Sequence, residues 1–165
     1  MTTTQRLILP IRIGLVLAFA FALVMQVLSM PGEFTEQITR APEAAHLVWP
    51  VFAVVELELL GFQVLIVCTW MLLTMIGRGR IFSEESFRWV NLLVRTLFVG
   101  WLLFAALSAY LVAVIFFTPD LRDPGTPLLL FGILLIGAVF VMLVVVMRRL
   151  LLEATSLRSD LDEVI

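Results

Sequence analysis

GRGRIFSEESFRWVN, residues 77 to 91, is the one strongly polar stretch in the middle of an otherwise apolar chain. Long hydrophobic runs flank it on both sides, and it gathers Arg78, Arg80 and Arg88 within eleven residues. A short basic segment between two apolar runs reads as a turn between membrane spans, held on the cytoplasmic side by its arginines. The chain of 165 residues is 62% hydrophobic and 15% charged, with a mean hydropathy of +1.11. Soluble domains carry nearer a quarter of charged residues, so the class is a membrane protein rather than a soluble globule. At about 20 residues per crossing, the length holds four spans in one domain, residues 1–165.

Outward from the turn, the spans fall at about residues 11–30, 50–76, 92–117 and 127–147, followed by a tail over 148–165. Ser83 is a helix cap, with Glu84 and Glu85 in the first turn, where the helix dipole favours acids. Trp49 suits the membrane interface, and Pro50 suits the first turn of the second span. Thr126 and Pro127 read as the cap and first turn of the fourth, which Arg148 and Arg149 end. Between the first two spans, PGEFTEQITRAPEAA (residues 31–45) reads as an outside loop with a short helical turn; His46, at its end, reads as solvated. In the tail Leu150, Ala154, Leu157, Leu161 and Val164 recur at spacings of four and three, the seam of a short amphipathic helix that packs against protein.

Nine of the eleven basic residues, all arginines, flank one side: Arg6, Arg12, Arg78, Arg80, Arg88, Arg95, Arg148, Arg149 and Arg158; Arg40 and Arg122 lie on the other. The expected topology has both termini and the central turn in the cytoplasm. On that face Arg78, Arg80, Phe82, Ser83 and Arg88 form a candidate interaction surface with Leu157, Leu161, Asp160 and Asp162 of the tail. The acids of the tail are expected to dock near Arg78 and Arg80.

A second candidate site is acidic. Glu56, Glu58 and Gln63 interrupt the second span, and intramembrane acids default to an ion or proton site. Counting back from Ile76 sets both glutamates at the outer interface, where water or Arg40 can satisfy them. Glu56 and Gln63 share a face; Glu58 does not. Third, Gly14, Ala18 and Ala22, and Ala105, Ala109 and Ala113, are small-residue stripes of the kind that let helices approach closely in lipid. They form the helix-packing surfaces of a bundle or a homo-oligomer.

The chain offers no phosphate-cradling loop, no HExxH and no histidine–cysteine cluster, and the lone Cys68 reads as a small buried or lipid-facing residue. No enzyme, cofactor, metal or direct nucleic-acid binding is expected.

The turn G-R-I-F-S (Gly79 to Ser83) before the third span, with four spans and an acid-rich terminal helix, resembles domain-of-unknown-function family 2975, small bacterial membrane proteins. The resemblance runs from about the first span to Ile165. It implies a four-helix protein of the bacterial inner membrane, and a partner such as the small helix-turn-helix regulator often encoded beside similar proteins. It supplies no catalytic residues.

The fold expected is therefore an all-α membrane protein, four transmembrane helices with both termini inside and a short cytoplasmic C-terminal amphipathic helix. The expected function is a non-enzymatic interaction or regulatory module acting through its cytoplasmic face. A small channel or transporter subunit using the glutamates, and a structural homo-oligomer, are the alternatives.

Overall fold

The computed structural model describes residues 3–40, 42, 45–78, 83–118 and 123–164, with side chains given for 8–156 within those stretches. It is all helical among these residues. α1 (Thr3–Val24) passes through a π-helical turn (Met25–Ser29) into α2 (Met30–Arg40); α3 (Ala45–Gly77), α4 (Glu84–Phe117) and α5 (Gly125–Val164) follow. Four helical stretches are long and apolar enough to cross a membrane: Ile8–Arg40, Ala45–Gly77, Glu84–Phe117 and Gly125–Ser156.

The expected loop after the first span is instead helix as far as Arg40. Pro31 cannot donate a backbone N–H, which should stop an α-helix there. The backbone absorbs it one turn earlier: the Met30 N–H bonds to the Met25 carbonyl five residues back, the π pattern. Beyond it, the Thr35 and Thr39 hydroxyls donate to the carbonyls four residues before them, and Arg40 pairs with Glu36 one turn away. Arg40 is thereby engaged on its own helix rather than with Glu56 or Glu58.

The other helix starts also differ in detail. α4 begins as expected, with the Ser83 side chain accepting from the Ser86 N–H and Glu84 and Glu85 in the first turn. α3 begins at Ala45, so Pro50 lies inside the helix. The missing N–H leaves the His46 carbonyl without its usual donor four residues on. The Tyr110 hydroxyl, from α4, donates to that carbonyl at 3.1 Å, which turns a proline defect into an inter-helix tie. At α5 the cap is Asp123 rather than Thr126. Its carboxylate accepts the N–H groups of Gly125 and Thr126 and the Thr126 hydroxyl, at 3.0, 3.2 and 2.7 Å. The two oxygens of a carboxylate accept all three donors, more than a single threonine hydroxyl can. Arg148 and Arg149 do not end α5, which runs unbroken to Val164.

The spans pack in sequence order: α1 on α3, α3 on α4, α4 on α5, with α3 against α4 the most extensive. Among the described residues the first and last spans have no comparable contact, so the helices form an open row rather than a closed ring. Burial follows. Fully covered side chains among the described residues belong to α1, α3 and α4, with Cys68 wholly enclosed, and none lies in the apolar run of α5. The outer faces of α1 and α5 display Leu17, Phe21, Leu128, Ile136 and Met147, which in a bilayer face acyl chains.

Candidate functional site

The six residues of the two small-residue stripes divide. Ala22 is buried, and Ala18 and Ala105 are half-buried, so these pack. Gly14 is exposed with open space where a Cβ would stand, and Ala109 and Ala113 are exposed. Close approach is made by glycines of the last three spans instead. A Cβ at Gly61 would lie 3.6 Å from the Thr96 methyl. One at Gly100 would fall 2.9 Å from Glu58 Oε2, and one at Gly137 would fall 2.9 Å from Trp101 Cδ1. These three glycines stand on α3, α4 and α5, and all border one cleft of about 360 Å³. Nothing in the spacing of a single span announces them, because each answers a neighbour on another helix.

Glu58 enters that cleft from α3. Its carboxylate occupies the space that Gly100 leaves, and its Oε1 is closed off from solvent with no hydrogen-bond partner. Gly100 is the midpoint of α4, and Gly137, on the same cleft, is the middle of the apolar run 127–147 of α5. Glu58 is therefore level with the midpoint of α4 and shares its cleft with Gly137 of α5. Across the cleft the Trp101 N–H donates to the Leu134 carbonyl at 3.0 Å, which fixes the indole against Gly137.

Glu56 and Gln63 lie elsewhere. Gln63 is buried and its amide donates to Gln26 Oε1 at 2.8 Å, joining α3 to the π-helical turn of the first span. Sequence reasoning passed over Gln26, although an amide inside an apolar run was the available signal. Glu56 holds a buried Oε1 with no partner and is not among the residues that border the Glu58 cleft. The structure thus separates the three polar residues of the second span.

The second candidate region is the end of the row that holds both termini. There Arg12 of α1 donates to Thr74 of α3 at 3.1 Å and lies over the Trp70 ring at 5.1 Å. An arginine that the sequence assigns only to topology also ties two spans together. Close by, Leu72, Met75 and Ile76 of α3, with Ser86 and Val90 of α4, make a socket of about 190 Å³ that Leu151 of α5 completes. Leu151 is past the arginine pair, so the extension of α5 starts beside the ends of α3 and α4. Ser83 sits half-buried at the start of α4; Arg78 and Arg88 are exposed. Of the residues expected to join them, Arg80 and Phe82 lie outside the described residues, as do the side chains of Leu157, Asp160, Leu161 and Asp162, whose backbone is helical. Among the described residues no three of His, Cys, Asp and Glu gather as a metal site.

The family model of DUF2975, described as a protein of unknown function, matches residues 34–165. Comparison with curated proteins and with solved structures yields no match.

Proposed function

Since the chain belongs to DUF2975, a family of unknown function, we propose from its own geometry that it is a non-enzymatic interaction or regulatory module of the bacterial inner membrane. Both termini lie in the cytoplasm, and a cytoplasmic protein docks on the end of the row where they meet. A helix-turn-helix regulator is one such partner.

One observation carries this reading: α5 is a single unbroken helix, longer than a bilayer crossing needs. Its 40 residues extend about 60 Å at 1.5 Å each, against a hydrocarbon core of about 30 Å. Leu151 lines a cavity with residues of α3 and α4, and the helix is unbroken beyond it, so the protruding turns continue the bundle rather than hang as a tethered tail. Such a helix transmits a shift of the spans to whatever holds its end, which a flexible tail cannot. The separation of Glu56, Glu58 and Gln63 supports this reading over a pore lined by all three, because Gln63 is occupied by Gln26.

The test is purification of the tagged protein from native membranes in mild detergent, with and without residues 150–165. A stoichiometric protein that leaves with the deletion supports the module, and Leu151→Glu should release it too by unseating the helix. A partner retained by the deleted chain, or no partner with either, counts against it. Reporter fusions at residue 165 give the side: a C-terminus outside the cytoplasm overturns the proposed topology.

A further inference from the structure

We propose that the cleft between α3, α4 and α5 is a binding site for a monovalent organic cation with an apolar body, held by Glu58. The inference is independent of the cytoplasmic role proposed above.

Oε1 of Glu58 is closed off from solvent with no hydrogen-bond partner, and none of the described residues bordering the cleft is basic. Leaving a carboxylate so is costly in the interior of a membrane protein, where ionisable groups pair or serve a pathway. Glu58 itself borders the cleft, so a positive guest there neutralises the carboxylate's charge through the part of the group that faces the cleft, with Oε1 lying behind it. A hard metal ion fits poorly, since it needs six or so oxygen ligands and the side chains bordering the cleft supply oxygen from Glu58 and Thr96 alone.

The remaining walls choose the rest of the guest. Phe62, Trp101, Phe104 and Phe140 border the cleft. Aromatic faces attract a cation electrostatically, and indole does so best. Trp101 has its N–H engaged by Leu134, so its ring is oriented before any guest arrives. At about 360 Å³ the cleft falls within the range of small-molecule sites, mostly apolar with one placed polar group. Phe62, Ile133 and Phe140 are exposed, which puts its mouth on the lipid-facing side of the row. A guest arriving there must already be soluble in the bilayer, so an apolar cation qualifies and a hydrated one does not.

The probe is radiolabelled tetraphenylphosphonium, with tetraphenylborate as a body of matching shape and opposite charge. Equilibrium binding is measured on the full chain in phosphatidylcholine nanodiscs, with protein-free discs subtracted. Tetraphenylphosphonium should bind saturably and tetraphenylborate should not. Glu58→Gln should weaken the phosphonium by about tenfold or more, and Glu58→Asp should retain most of the affinity. Ile133→Trp, which fills the mouth and leaves the charge alone, should also weaken it, and decides the matter if Glu58→Gln fails to fold. Equal binding of both ions, no saturable binding, or affinity unchanged in Glu58→Gln or Ile133→Trp would overturn the proposal.

Discussion

Gln63 and Glu58 stand five residues apart on α3, face different neighbours, and meet opposite fates. Gln63 is buried against α1 and finds an amide on Gln26 at the right distance. Glu58 is enclosed against α4 with a carboxylate oxygen that nothing satisfies. The first contact holds two helices together. The second stores an unmet demand at a place where three glycines let the side chains of neighbouring helices come close. A polar residue in an apolar span is thus not one kind of evidence. Its meaning depends on whether the neighbouring span answers it.

The strongest way to break that contrast is to fill the space beside Glu58. Gly100→Leu puts side-chain atoms where the carboxylate now lies, and should cost at the upper end of the about 1–3 kcal/mol of an overpacked core. Glu58→Ala in the same chain should recover most of the loss, read by thermal unfolding in detergent. The sharper comparison uses one substitution at both positions. Glu58→Leu should stabilise the protein by about 1–3 kcal/mol, because it removes an unsatisfied buried group. Gln63→Leu should destabilise it by about 0.6 and at most about 1.7 kcal/mol, the range of hydrogen bonds between membrane helices. Equal signs would erase the distinction. Adding Gln26→Leu to Gln63→Leu should return part of the second loss, since no amide is then left stranded.

Smaller effects extend the satisfied side of the contrast. Tyr110→Phe removes the donor to the His46 carbonyl and should cost about 0.5–1.5 kcal/mol. In a Pro50→Ala background the cost should shrink, because the alanine's own N–H can donate to that carbonyl. Smallest is the exposed cap of α5. The Thr126 hydroxyl, then the Gly125 and Thr126 amides, hold the Asp123 carboxyl below the usual carboxylate range. A depressed value in the folded state means the cap contributes fully above the unfolded pKa and is lost as pH falls through the folded one. Hydrogen exchange at Gly125 and Thr126, corrected for the intrinsic pH dependence, should lose protection on acidification. In Asp123→Asn that loss should be absent.

Four spans, the Ser83 cap and the acidic first turn of α4 are all legible in the sequence, because each follows from residues next to one another. The burial of Cys68 is half legible: its size and position allow a core or a lipid site, and only the packing of α3 chooses. What escapes is of two kinds. Proline misleads at residues 31 and 50, since in each case the backbone finds a different answer to the missing donor. The asymmetric cap of α5 misleads similarly, as Asp123 sits two residues before the helix. The second kind is the match between helices. Gln26 with Gln63, Gly100 with Glu58 and Gly137 with Trp101 are pairs between spans, and no period within one span encodes its neighbour's register.

The π-helical turn at residues 25–29 carries one further consequence, which concerns how genes change. An inserted residue in a helix that keeps its length rotates everything beyond it by about 100°. Here that rotation falls between the buried span and α2, whose Phe34 meets Phe52 of α3 at 5.0 Å between ring centres. Removing one codon from this turn would leave every downstream residue type intact while swinging Phe34 and Ile38 off α3. At such a place a deletion acts as a change of direction rather than a loss of material, and a single-codon event can re-aim a surface that many point substitutions could not.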